Sequence, residues 1–214
     1  NIATGNSSIV ADQIGIHSGD YLLTEAGFGA DMGAERFFNI KCRYSGLKPD
    51  AAVLVATVRG LKVHSGKHRV VAGRPLPSLL LEQNPSEVFE GGSNLRKQIE
   101  NILRHGVTPV VAINAFPEDH KADLEAIAEI ANDYGVRSSQ CTHFANGGAG
   151  AIELAEAVSD AANEPSAFKL LYPESLSIAE KIQTVATEVY GASSVEISPR
   201  ATAEIARYES IGLG

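Results

Sequence analysis

The stretch Thr24-Glu25-Ala26-Gly27-Phe28-Gly29-Ala30-Asp31-Met32-Gly33 sets two carboxylates among three glycines. Glycine tolerates positive φ and lets a ligand come close to the backbone. Gly27, Gly29 and Gly33 read GxGxxxG, one residue longer than the dinucleotide fingerprint GxGxxG. That fingerprint also needs an acid at the end of the next strand to hold a ribose. Thr57, Val58 and Arg59 stand there instead. A tight strand–helix turn with no ligand competes on equal terms with a dinucleotide site. A second chemistry uses the carboxylates: Glu25 at a strand end and Asp31 in the loop would hold magnesium through water, as Walker-B acids do.

Gly66-Lys67-His68 nearly ends a phosphate-cradling GxxxxGK[ST] loop. It fails twice, because Gly60 lies one residue too far back and His68 replaces the metal-binding hydroxyl. Val110–Pro117 reads as a buried strand running into a loop, VVAINAFP. Ligands of open α/β sheets sit outside the carboxyl ends of strands, which places Asn114 and Phe116 well. Asn114 would read a base edge, and Phe116 with Pro117 would offer a flat apolar wall; a helix-entry turn packed by Phe116 is the plainer alternative. The six histidines show no HExxH or other ligand spacing, so no metal site is expected, and all but His64 default to solvated or structural roles. Cys141 and His143 stand two apart without a third orienting group, and coincidence is the plainer reading. Gly147-Gly148-Ala149-Gly150 before a helix would suit an anion or a flexible connection equally.

Short apolar runs alternating with amphipathic segments must position these groups, and that rhythm predicts an α/β fold with a doubly wound, mostly parallel sheet. Strands are expected at 21–24, 51–58, 110–113 and 136–141. Continuous apolar runs such as Ala51–Val58 suit strands covered on both faces. Helices are expected after Ser7 or Ser8, after Ser93 with Gly106 as its stop, and at 124–134 before Gly135. A further helix is expected at 151–162. Residues 60–92 hold three of the nine prolines and five glycines, and predict a long irregular connection.

A second break falls at Asn163-Glu164-Pro165. It divides the chain into residues 1–165, part of a nucleotide-binding α/β domain, and residues 166–214, the start of a smaller α+β appendage. That tail predicts strands at 169–172 and 194–197, a capping box from Ser177 and Glu180, and a helix after Pro199.

A net charge of -8 and a pI near 5.3 argue against a nucleic-acid surface, which needs clustered Lys and Arg. Two cysteines far apart argue against a disulfide framework or a zinc site and fit a reducing cytoplasm. No apolar run has membrane-spanning length, so no membrane partner is expected. The absence of a starting Met and the stop at Gly214 suggest cut ends.

Taken in order, several stretches resemble formate–tetrahydrofolate ligase over essentially the whole chain. They are Asn1–Ser8, Thr24–Asp31, Phe38–Arg43, Ser45–Asp50, Val55–Gly66, Asn94–Asn101 and Val110–Pro117. Val55–Gly66 is similar to the family signature VAT[IV]RALKx[HN]GG, departing at Gly60 and Ser65 without removing a charged group.

The resemblance implies a P-loop NTPase-type fold and a central fragment lacking the N-terminal P-loop and the C-terminal region. It implies ligation of formate to tetrahydrofolate at the expense of ATP, through formyl phosphate, with Mg²⁺ and a monovalent cation as cofactors. It implies a cytoplasmic homo-oligomer, typically a tetramer. Asn114, Phe116 and Pro117 match the family's adenine-side loop. Arg59, Lys62 and His64 inherit a place near the site from the signature, lining the cleft at the start of the irregular connection. Glu25 and Asp31 inherit one by position in the sheet. Two rival readings stand beside it: an NAD(P)-binding Rossmann oxidoreductase, which nicotinamide titration would test, and a non-catalytic binding or assembly module derived from the ligase.

Overall fold

The computed structural model describes residues 6–214. Asn1–Gly5, the start of the first matched stretch, lie outside the described residues. In chain order the elements begin with α1 (Ile9–Gly15), α2 (Ala30–Arg36), a π-helical turn Phe37–Cys42 and α3 (Arg43–Ser45). Then come β1 (Ala51–Ala56), α4 (Val58–His64), α5 (Ser78–Leu81), α6 (Pro85–Gly91), α7 (Ser93–Arg104) and β2 (Thr108–Asn114). α8 (Lys121–Asn132), β3 (Arg137–Cys141), α9 (His143–Asn146) and a 3₁₀ turn Gly147–Ala151 follow. The series closes with α10 (Ile152–Ala162), α11 (Ile178–Thr184), a second π-helical turn Val185–Val189 and α12 (Pro199–Ser210). They form two compact units: Pro49–Phe168, and Asn1–Lys48 with Lys169–Gly214.

The Pro49–Phe168 unit is a three-stranded parallel sheet in the order β1-β2-β3. β2 is central, and its run Pro109–Ile113 is buried throughout, as a strand covered on both faces must be. α7 packs on β1 and β2, α8 on β2 and β3, and α10 on all three. Successive right-handed crossovers place α7 and α8 on one face, leaving the other to α10. This is α/β architecture compatible with double winding.

The expectation that the Ala51–Val58 run is covered on both faces fails. Leu54 and Ala56 are buried, but Val55 is 70% exposed on β1, an edge strand of the sheet among the described residues. Gly106 (φ 71°) and Gly135 (φ 65°) end α7 and α8 in the left-handed region, where Cβ-bearing residues are strained.

Residues 60–92 are more regular than their glycine and proline content predicts. Thr57 caps α4, its hydroxyl accepting from the Gly60 N–H at 3.0 Å, and Asn84 caps α6 ahead of Pro85. Within this stretch, 65–77 and the short link 82–84 stay irregular. α6 packs on α4 so closely that a Cβ on Gly91 would stand 1.7 Å from the Leu61 carbonyl oxygen. Both neighbours are backbone, so relief requires moving a helix. Gly91→Ala is expected to lower stability by about 1–3 kcal/mol, read as the shift in urea midpoint. An unchanged midpoint would show that the two helices are not held this tightly.

In the other unit, Ser8 rather than Ser7 caps α1, accepting from the Ala11 N–H at 3.0 Å. Ser7 instead joins a polar cluster around the buried Lys41–Asp12 pair. Lys41 pairs with Asp12 and donates to the Ser7 hydroxyl at 3.0 Å, and Ser7 Oγ lies 2.7 Å from Thr24 Oγ1. The ammonium thus ties the π-helical turn to the start of α1, and Ser7 carries the chain of contacts on to Thr24. Next to it, burial pushes the Cys42 thiol up to about 11.

Among the described residues no strand forms at 21–24; the neighbouring Ala26 makes an isolated antiparallel bridge to Asn6. The glycines that follow are therefore not a βα turn of the sheet. Gly33 is glycine for packing, since a Cβ there would meet the Gly27 carbonyl oxygen at 2.1 Å. The strands expected at 169–172 and 194–197 are likewise unpaired. Side chains hold the first: Asn39 Oδ1 accepts from the Leu171 N–H (2.8 Å), and Arg43 Nη2 donates to the Tyr172 carbonyl (2.7 Å). The capping box of Ser177 and Glu180 forms, and Ser198 caps α12 ahead of Pro199.

Candidate active site

The polar and aromatic groups of the Pro49–Phe168 unit gather where its strands end. β1 hands over to α4 through Thr57, which puts Arg59 in the first helical turn. β2 hands over to a tight loop in which the Phe116 N–H donates to Asp119 Oδ2 (2.9 Å) and the Asp119 N–H to the Phe116 carbonyl (3.0 Å). That loop presents the Phe116 ring to Arg59, whose guanidinium carbon lies 4.3 Å from the ring centroid. Arg59 Nη2 donates to Glu118 Oε2 at 2.6 Å. Asp119 Oδ1 is 3.8 Å from Arg59 Nε, too far for a hydrogen bond, and Nε is left buried without a partner. A buried orphan donor costs free energy unless something accepts from it. Phe116 is 37% exposed, Pro117 is exposed, and the half-buried Asn114 amide makes no hydrogen bond among the described residues.

Lys62 and His64 do not join this group. Lys62 lies one turn further along α4 on its inner side, 1% exposed, donating to Asp123 Oδ2 (2.7 Å) and the Glu82 carbonyl (2.6 Å). Asp123 Oδ1 accepts from the Asn84 N–H (2.9 Å), so the pair pins 82–84 between α4 and α8. His64 ends α4, exposed. These three residues sit on a helix, not at the start of an irregular loop. Glu25 and Asp31 belong to the other unit. Glu25 is exposed; Asp31 is half-buried and hydrogen-bonded to Tyr190, whose phenol is raised chiefly by burial and further by that bond. No three His, Cys, Asp or Glu side chains come together as a metal-holding group among the described residues.

Two groups at the third strand end escape a sequence reading. Cys141 and His143 are in contact, Sγ to Nδ1 at 3.0 Å. Phe144 beside them is 92% exposed, an uncommon state for phenylalanine. Its only signal in the sequence is an aromatic residue just before a glycine run. Gly147–Gly150 folds back on this segment, with the Thr142 N–H donating to the Gly150 carbonyl at 2.9 Å.

An open parallel sheet with its polar, aromatic and glycine-rich groups at the strand carboxyl ends defines an α/β protein of the crevice-binding class. Comparison with known proteins specifies the family. The family model described as formate–tetrahydrofolate ligase matches residues 1–214, and the chain belongs to that family. The chain is 60% identical to a formate–tetrahydrofolate ligase of Saccharopolyspora erythraea over 214 residues, all of this chain and 38% of the relative. A formate–tetrahydrofolate ligase of Cutibacterium acnes is 53% identical over the same span and share. One of Chloroflexus aggregans is 51% identical over 217 residues, again all of this chain and 38% of the relative. The chain therefore spans well under half the length of these relatives.

Proposed function

We propose that this chain supplies the adenine-side part of the active site of an ATP-dependent formate–tetrahydrofolate ligase. In that reading a formate oxygen attacks the terminal phosphorus of ATP and ADP leaves, giving formyl phosphate. The folate amine then attacks the formyl carbon, phosphate leaves and the amine proton is lost, giving 10-formyltetrahydrofolate. Formate is a poor acyl donor, and phosphorylation provides its leaving group. Drawing anions together demands positive screening.

The observation that carries the proposal is the Arg59–Phe116 stack with its buried orphan Nε, the unengaged Asn114 amide standing two residues before the ring. A flat ring, a free amide and an unsatisfied cationic donor suit a base with an anionic tail. Adenine lies against Phe116 and Pro117, with Asn114 at its edge. Arg59 turns its free donor to an oxyanion, while His64, exposed at the far end of α4, is assigned no contact. Lys62 serves by fixing α4, which carries Arg59. Glu25 and Asp31 are the carboxylates that would meet Mg²⁺ through water; with no complete donor set here, no step is assigned to the metal or to a monovalent cation. The P-loop-type fold, the 1–165 and 166–214 domain division, the homo-oligomer and the cytoplasmic setting complete the proposal.

In a polypeptide of the family's full length, Phe116→Ala is expected to weaken ATP binding about three- to tenfold, the worth of one aromatic stack. Phe116→Tyr should stay near wild type. Isothermal titration reads both, and an unchanged ATP affinity in Phe116→Ala, or a complex with adenine seated elsewhere, would sink the assignment.

A further inference from the structure

Arg59 after β1 and Phe116 after β2 are engaged with each other, while His143 after β3 is held on one side only. Asn114 and Cys141 are register partners, and the Ala115 N–H donates to the Cys141 carbonyl at 3.1 Å. The Phe116 loop and His143 therefore rise from one hydrogen-bonded crest. The Cys141 thiol is buried, its Sγ 3.0 Å from His143 Nδ1, while the imidazole itself is exposed. No described residue partners His143 Nε2. A ring tied at Nδ1 by a buried group has its plane and the direction of its free nitrogen fixed. A thiol S–H donating to Nδ1 leaves the ring N–H on Nε2, where it is a donor.

The geometry points to His143 as a contact residue for an oxyanion of the ligand at this crest, with Cys141 as its positioning residue. This rests on the ligase reading above, in which ATP, formate and tetrahydrofolate all carry oxyanions. Arg59 cannot serve all of them, because Glu118 and Asp119 already stand against its charge. An N–H donor a strand away adds recognition from a group that those two carboxylates do not already engage. If the contact were only packing, removing an exposed ring would change neither affinity nor catalysis.

The test uses a polypeptide of the family's full length with His143→Ala, His143→Gln, Cys141→Ala and Cys141→Ser. His143→Ala is expected to raise the KM of one substrate about tenfold, the loss of a hydrogen bond to a charged acceptor. The melting temperature should not move. His143→Gln, which keeps an N–H donor, should recover most of that loss. A rise for ATP assigns the phosphate tail; a rise for formate or tetrahydrofolate assigns a carboxylate. Cys141→Ala should raise the same KM two- to threefold and show both neutral tautomers in the ¹⁵N spectrum of His143, with Cys141→Ser restoring the Nε2–H form.

Kinetic constants of His143→Ala all within twofold of wild type would overturn the inference. So would a uniform loss with lowered melting temperature, or an Nδ1–H tautomer in the wild type. If the wild type makes no formyltetrahydrofolate, or Phe116→Ala is silent, the ligase reading fails first and takes this inference with it.

Discussion

The 214-residue chain made alone is expected to form no measurable 10-formyltetrahydrofolate from ATP, formate and tetrahydrofolate. Phosphoryl transfer depends on positioning and on stabilising the charge of the transferring group. A backbone N–H cradle with its lysine supplies much of that, and Gly66-Lys67-His68 is the nearest this sequence comes to one. Removing a single oxyanion donor costs about 10²–10³ in rate, so a missing cradle should leave turnover beneath detection. The chain also spans 38% of relatives such as the Saccharopolyspora erythraea ligase, and its last helix, α12, buries no residue of its own. The purified chain is assayed beside a family-length protein. Turnover within a hundredfold of that protein would mean that the catalytic groups lie in this segment after all.

Lys62→Met is expected to cost about 3–5 kcal/mol of stability, the penalty for leaving one charge of a buried pair alone. Lys62 and Asp123 are each 1% exposed, and between them they bind the Glu82 carbonyl and the Asn84 N–H. The single substitution strands Asp123 in a dry site and frees 82–84. Replacing both, Lys62→Met with Asp123→Leu, removes the stranded charge and should recover most of the loss, because buried pairs are often no better than apolar residues of similar volume. Urea unfolding of the two variants and the wild type measures it. A loss under about 1 kcal/mol for Lys62→Met would show that solvent reaches the pair.

The candidate site was legible in the sequence to different degrees, residue by residue. Phe116 and Asn114 were readable because a continuous apolar run marks a buried parallel strand, and such strands carry ligands at their carboxyl ends. The burial of Lys62 could not be read, because a lysine in a polar run shows no sign of it; its partner Asp123 is 61 residues away. The strands expected at 21–24, 169–172 and 194–197 failed for a related reason. A short apolar segment becomes a strand only where another strand pairs with it, and these segments find side chains instead.

What the sequence determined by itself were the local and periodic features. These are the central strand Thr108–Asn114, the helix stops at Gly106 and Gly135, the Ser177–Glu180 capping box and the order of the stretches shared with the ligase family. Each depends on residues within a few positions of one another, whose conformational preferences need no distant partner. Only the tertiary structure decided that Arg59 stacks on Phe116, that Lys62 is buried against Asp123, that Lys41 gathers Asp12 and Ser7, and that Val55 on β1 stays exposed. Those outcomes are set by which groups burial brings together across the chain, and burial is a property of the packed whole.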